Sequence, residues 1–146
     1  MMRRPAAFLA LCASLVLSTQ ALAAELPQRW VSAGGALSEW ITALGGEARL
    51  VGVDTTSQHP ASLKALPSVG YQRQLSAEGI LSLRPDVLVG TEEMGPPPVL
   101  AQIRKAGVRV ELFSSKAELP AVDENLRHLG QLLGAEPVSY THLTLP

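Results

Sequence analysis

Few side chains in this sequence have both a reactive group and a position in the chain that indicates a binding or catalytic role. His59, in the polar stretch 54–60, is the strongest metal ligand by residue type, because imidazole is the commonest metal-binding side chain in proteins. It precedes a proline, which is typical of an exposed turn, so a solvent-facing histidine is the alternative. Tyr71 and Arg73 share another loop, where by themselves they need be no more than a loop tyrosine and a solvated charge. His128 falls on the last predicted helix, where a solvated position is expected.

The motifs of common enzyme classes are missing from the sequence. It has no G-x-S-x-G elbow, no H-E-x-x-H pair, no P-loop and no G-x-G-x-x-G after the first predicted strand. Glu92 and Glu93 are adjacent and would point apart in an extended segment, which makes them a weak acid–base pair. We therefore expect no enzymatic activity, with a small α/β enzyme as the alternative from another class.

The elements that must position these residues alternate between strands and helices. Hydrophobic periodicity, an N-cap at Ser76 and a glycine stop at Gly107 define them. Their order predicts an α/β fold, a Rossmann-like lobe with a mostly parallel central sheet flanked by helices. Strands are expected at 29–31, 49–53, 86–90 and 108–113. Helical segments are expected at 37–44, 61–66 and 76–84, followed by one helix that ends at about 105 and another that begins at about 119.

The loops at the carboxyl ends of the predicted strands are the expected binding edge, because ligands of such sheets bind there. We expect the long loop 69–73, which holds Tyr71 and Arg73, to fold over the same edge. The strand-end loops are Ser32–Gly35, Asp54–His59, Thr91–Gly95 and Ser114–Lys116.

The amino terminus has the pattern of a secretory signal peptide. Arg3 and Arg4 precede an apolar run over 6–17, and small residues lead to Ala23, after which we expect cleavage. Residues 1–23 would then be removed, and Cys12 with them. The apolar run is too short for a membrane span, so the processed chain is expected not to cross a membrane.

The carboxyl-terminal end of the sequence has no sustained hydrophobic periodicity. The stretch 138–143 resembles the translation of a transposon-end adapter used in sequencing libraries. We therefore expect residues 138–146 to be a non-native tail, and exclude Tyr140 and His142 as ligands. Residues 24–137 remain as one domain.

Composition indicates a globular chain without an affinity for nucleic acid. The sequence is 47% hydrophobic and 17% charged, with a net charge of −1. No basic patch with interleaved aromatic residues is present, which argues against nucleic acid as a partner.

The run Leu81–Gly90, with its Arg-Pro-Asp centre, resembles the amino-terminal lobe of periplasmic binding proteins that serve metal-chelate importers. The segments 30–35, 54–57 and 66–73 resemble the haem-binding branch of that superfamily. The resemblance extends from about residue 26 to 136 and implies a two-lobed periplasmic protein that delivers haem to an inner-membrane ABC permease. Haem would lie between lobes joined by a long helix, and this chain would lack the second lobe and that bridging helix. A carrier of ferric siderophore or cobalamin with the same fold is the alternative.

The same resemblance implies that Tyr71 binds the iron of ferric haem and that Arg73 donates a hydrogen bond to its oxygen. A free phenol is mostly protonated at neutral pH, but ferric iron and a guanidinium both stabilise its anion. Arginine suits this role because it stays charged and holds a planar donor geometry. His59 is the competing iron ligand. Met94 could pack on a porphyrin face or belong to the loop core.

Glu78 is the candidate for docking onto the permease. In the superfamily a glutamate at this place on each lobe contacts permease arginines, and Glu92 and Glu93 are alternatives here. A first-turn glutamate also interacts favourably with the helix dipole, which by itself explains Glu78.

Overall fold

A four-stranded parallel sheet forms the centre of the part of the chain that the computed structural model describes, residues 25–135. The sheet order is β2-β1-β3-β4, and all three strand pairs are parallel. The strands are β1 Trp30–Ala33, β2 Leu50–Val53, β3 Val87–Thr91 and β4 Arg109–Phe113.

Within residues 25–135, four α-helices and two short 3-10 turns connect and cover the strands. The alternation confirms the predicted α/β lobe, including the helical turn expected at 61–66. The α-helices are α1 Gly35–Ala43, α2 Ala77–Ser82, α3 Pro97–Lys105 and α4 Leu119–Leu133, and the 3-10 turns are Glu47–Arg49 and Ala61–Ala65. The predicted signal peptide with Cys12 and the predicted tail with Tyr140 and His142 lie outside the described residues.

Alternating side chains on the strands build one core on each face of the sheet. Val87 and Val89 belong to the core shared with α1 and α4, whereas Leu88 between them belongs to the core shared with α2 and α3. All three are fully buried. Burial on both faces explains why the strands are continuous apolar runs, as is usual for parallel sheets.

The helix boundaries follow the capping residues seen in the sequence. The hydroxyl of Ser76 accepts a hydrogen bond from the backbone N–H of Gly79 at 3.2 Å, which confirms the predicted N-cap of α2. After α3, Gly107 has a φ of +90°, a conformation that glycine adopts without steric cost. The predicted glycine stop is therefore confirmed.

The Arg-Pro-Asp segment joins the beginnings of the two central strands. The carboxylate of Asp86 accepts hydrogen bonds from the backbone N–H groups of Gln28 and Arg29, both at 2.9 Å. The Arg29 guanidinium in turn donates to the carbonyls of Leu83 and Arg84, at 2.6 and 2.9 Å. This motif is therefore structural, and it lies at the sheet edge opposite the strand-end loops.

Two expectations about individual residues are corrected. Thr91, assigned to a loop, ends β3 and pairs with Phe113 of β4. His128 is half-buried rather than fully solvated, because its ring stacks on Phe113 with centroids 4.8 Å apart and its Nε2 lies 3.2 Å from a Glu111 oxygen. Both corrections come from long-range packing around Phe113, which local sequence patterns do not encode.

Candidate functional site

The strand-end loops gather at one edge of the sheet, as predicted, and main-chain hydrogen bonds tie them together. The N–H of Thr55 donates to the carbonyl of Gly70 at 2.9 Å, and the N–H of Gly95 donates to the carbonyl of Gln72 at 3.0 Å. The N–H of Leu75 closes the connection by donating to the carbonyl of Gly95 at 2.9 Å. The 69–73 loop is thus held over the carboxyl ends of the strands.

A buried carboxylate, Asp54, organises the turn between β1 and α1. It is 2% exposed and accepts hydrogen bonds from the Gly34 N–H at 3.0 Å and from the hydroxyls of Thr56 and Ser57, each at 2.8 Å. The hydroxyl of Thr56 also accepts a bond from the Gly35 N–H at 2.9 Å. Charge-assisted bonds of this kind are among the stronger ones in proteins, so the Asp-Thr-Thr-Ser segment is a rigid support for the edge.

Buried serine hydroxyls extend this network into the core. The Ser38 oxygen lies 2.8 Å from that of Ser32 and 2.7 Å from that of Ser57, and all three serines are essentially inaccessible. Sequence reasoning assigned Asp54 to a polar loop and missed this role. The available signal was an acidic residue followed by three hydroxyl residues immediately after a buried strand.

Replacing Asp54 with asparagine should lower the free energy of unfolding by about 1–2 kcal/mol, because the amide turns one acceptor into a donor facing other donors. Urea unfolding followed by tryptophan fluorescence measures this change, since Trp30 is buried in the core. The matched control is Asp123→Asn, which removes a half-exposed ion pair with Arg127 and should cost less than about 0.5 kcal/mol. Equal losses in the two variants would contradict the assigned role of Asp54.

Tyr71 lies on the 69–73 loop with its side chain open to solvent. The residue is 42% exposed, and its phenol makes no hydrogen bond with residues 25–135. The loop turns sharply here, with a φ of +91° at Gly70 and a hydrogen bond from the Gln74 N–H to the Tyr71 carbonyl at 2.8 Å. An exposed phenol on a fixed backbone is free to bind an external group.

Arg73 pairs with Glu93 rather than with Tyr71. Its Nη2 lies 2.7 Å from the Glu93 Oε2, and the two side chains are 54% and 44% exposed. The hydrogen bond to the tyrosine oxygen that the resemblance implies is therefore not formed in this structure. Sequence reasoning did not foresee the partnership with Glu93, which joins residues of two different loops.

The remaining candidate residues lie in three different environments. His59 is exposed in the loop before Pro60, in agreement with the turn alternative. Met94 is 4% exposed and packs over Gly90 in the α2–α3 core, which favours loop core over contact with a ligand. Glu78 is exposed on the first turn of α2, where both a docking role and a dipole interaction are available to it.

An open groove of about 350 Å³ lies between α1, α4 and the ends of β3 and β4. Thr91 lines it, and its hydroxyl is buried without a hydrogen-bond partner among residues 25–135. Apolar walls with a few polar groups are typical of sites for small organic ligands. The apolar side chains are Leu37, Trp40, Phe113 and Val122, and the polar ones include Gln72, Glu93, Lys116 and Asn125.

Two kinds of feature are absent from residues 25–135. No group of three or more His, Cys, Asp or Glu side chains is placed to hold a metal ion. No helix in this range is long and apolar enough to cross a membrane.

Comparison with known proteins places the lobe in a family. The sequence profile described as periplasmic binding protein matches residues 31–138, well over half of the chain. The chain belongs to the periplasmic binding protein family. Solved structures that resemble this periplasmic binding protein are described as binding proteins as well.

Several of those structures are described as haem-binding. A periplasmic haem-binding protein from Pseudomonas aeruginosa is 68% identical, with a TM-score of 0.79 over 80% of this chain and 42% of that one. The Vibrio cholerae periplasmic haem-binding protein is 42% identical, with a TM-score of 0.73 over 78% of this chain and 44% of that one.

More distant relatives carry a different description. A vitamin B12-binding protein of Pectobacterium carotovorum is 30% identical over 122 residues, which are 84% of this chain and 43% of that protein. The chain thus spans less than half the length of the relatives and solved structures it matches.

Proposed function

We propose that this chain forms the amino-terminal lobe of a periplasmic protein that captures haem and delivers it to an ABC permease. The observation that carries the proposal is Tyr71, an exposed phenol on a loop held over the binding edge of the sheet, with Arg73 two residues away. The 68% identity to a haem-binding protein supports the same cargo. In this proposal the lobe comprises residues 24–137, follows a signal peptide at 1–23 that exports it, and precedes a non-native tail at 138–146.

The chemistry proposed for the site is binding without a catalytic step. Ferric haem brings a positively charged iron, for which an anionic phenolate is a strong partner. Tyr71 supplies that oxygen. Arg73 donates a hydrogen bond to the Tyr71 oxygen once the guanidinium has left Glu93. Because an oxyanion favours ferric over ferrous iron, the site fits haem collected outside the cytoplasm.

A haemin titration tests the proposal against its closest rival. The protein to use is a chimera in which residues 25–135 of this chain replace the matched segment of the P. aeruginosa haem-binding protein. We expect haemin to produce ferric-phenolate absorption bands, and cyanocobalamin in excess to leave them unchanged. Displacement of haemin by cobalamin or by a ferric siderophore would favour the alternative cargo, for which the 30% identity to a vitamin B12-binding protein is the supporting observation.

Glu78 is the proposed contact with the permease. Charge reversal by Glu78→Lys should weaken docking by about tenfold, since a lost ion pair across an interface is typically worth a kcal/mol or more. The measurement is ATPase stimulation by the haem-loaded chimera in proteoliposomes that hold the P. aeruginosa importer. Glu47→Lys is the matched control, because Glu47 precedes β2 at the opposite edge of the sheet. Equal effects of the two reversals would remove Glu78 from the docking surface.

A further inference from the structure

Glu93 competes with the proposed iron ligand for the same guanidinium. Arg73 has one planar guanidinium, and in this structure its Nη2 is bound to the Glu93 carboxylate at 2.7 Å. The haem-binding role requires a hydrogen bond from Arg73 to the Tyr71 oxygen instead. In the proposed haem-bound state, Glu93 and the phenolate of Tyr71 are thus two anions that compete for one cation.

Main-chain hydrogen bonds bring Arg73 and Glu93 together. The loops that carry Arg73 and Glu93 are joined by the bond from the Gly95 N–H to the Gln72 carbonyl, at 3.0 Å, and by the bond from the Leu75 N–H to the Gly95 carbonyl, at 2.9 Å. Gln72 and Leu75 flank Arg73 in sequence, and Gly95 follows Glu93 by two residues. These bonds hold the loop that carries the carboxylate beside the loop that carries the guanidinium.

We propose that Glu93 holds Arg73 in the unloaded lobe and lowers its affinity for haem, so that Glu93 is a positioning residue of the site. This inference rests on the haem-binding function proposed above. Binding of haem transfers the guanidinium from Glu93 to the phenolate, and Glu93 opposes that transfer. The carboxylate thereby favours release of haem as well as limiting its capture.

The solvent exposure of Arg73 and Glu93 limits how much Glu93 can change the affinity for haem. Side chains that are 54% and 44% exposed are well solvated, and exposed ion pairs shift an equilibrium by about fivefold at most. Arg73 can therefore leave Glu93 without a large barrier. The effect should be a moderate adjustment of affinity.

The adjacent glutamate offers a matched control. Glu92 has the same charge in the same loop, but its Oε1 accepts a hydrogen bond from the Ser115 hydroxyl at 3.1 Å and does not contact Arg73. Replacing either glutamate with glutamine changes the net charge equally. Only Glu93→Gln frees the guanidinium.

The experiment compares haemin titrations of the chimera with Glu93→Gln and with Glu92→Gln. We expect Glu93→Gln to bind haemin about three- to fivefold more tightly, and Glu92→Gln to match the parent. The ferric-phenolate charge-transfer band should move to higher energy in Glu93→Gln only, because a stronger bond from Arg73 withdraws electron density from the phenolate. In an Arg73→Gln background the effect of Glu93→Gln should disappear.

Each of the other outcomes would overturn either this inference or the haem-binding function on which it rests. Weaker binding by Glu93→Gln would mean that Glu93 orients Arg73 toward the tyrosine, and would overturn the proposal. An equal gain in both variants would reduce the effect to net charge and overturn it as well. A parent protein without a Tyr71-dependent band would overturn the haem function itself, whereas a parent band that Glu93→Gln leaves unmoved, with unchanged affinity, would overturn only this inference.

Discussion

Replacing Tyr71 with phenylalanine is expected to abolish the ferric-phenolate absorption of the haemin-loaded chimera and to weaken haemin binding at least about a hundredfold. The substitution removes one oxygen and keeps the ring. Loss of a metal ligand should cost no less than loss of the groups that orient one, which costs about ten- to a hundredfold. Fold should be unaffected, because the side chain is 42% exposed and the hydroxyl has no partner within residues 25–135.

Two further variants give this prediction its controls. Tyr71→His should restore a ligand with an imidazole-type spectrum, which distinguishes lost coordination from a damaged site. His59→Ala should leave the phenolate bands in place, since His59 lies exposed in a different loop. If Tyr71→Phe and Tyr71→Ala both retain the parental spectrum, Tyr71 is not the ligand, and the loss of bands in His59→Ala would identify the alternative.

The chain alone is expected to bind haemin on the order of a hundredfold more weakly than the chimera, a difference of about 2.7 kcal/mol. Sites for small organic ligands typically bury about 70–90% of the ligand surface, and one lobe offers a single open wall. The groove described here is open to solvent, and Gln72, the chain neighbour of Tyr71, lines it. Isothermal titration of the two proteins under the same conditions measures the difference.

The control for this comparison is whether the isolated lobe is folded. The α1–α4 and α2–α3 cores close both faces of its sheet, so the chain should unfold cooperatively in urea with intact secondary structure beforehand. A folded chain that binds haemin as tightly as the chimera would show that residues 25–135 contain the whole site. That outcome would contradict the cleft arrangement.

The order of the elements could be predicted because the signals for it are local. Ser76 caps its helix through the Gly79 N–H three residues away, and Gly107 ends its helix through its own φ. Strand alternation assigns Val87 and Leu88 to opposite faces without any tertiary information. The gathering of the strand-end loops then follows from the parallel order of the sheet.

The partners of the site residues could not be predicted in the same way. Arg73 meets Glu93 across 20 residues, through two loops that main-chain bonds hold together. Asp54 reaches back 20 residues to Gly34, a contact that depends on the pairing of β1 with β2. Their residue types alone fit a solvated loop equally well. The resemblance identified Tyr71 and Arg73, but the competing carboxylate became visible only when the two loops were placed side by side.

The main-chain links between the strand-end loops also bear on how quickly a ligand can be captured. Because Thr55 is tied to Gly70 and Gly95 to Gln72, these loops have little conformational freedom left to lose on binding. Complex formation then requires little ordering of the backbone in these loops, whereas the exposed side chains of Tyr71 and Arg73 still become ordered. The rate of capture should accordingly be governed by diffusional encounter and by lobe closure, while the lifetime of the complex reflects the strength of the bonds made.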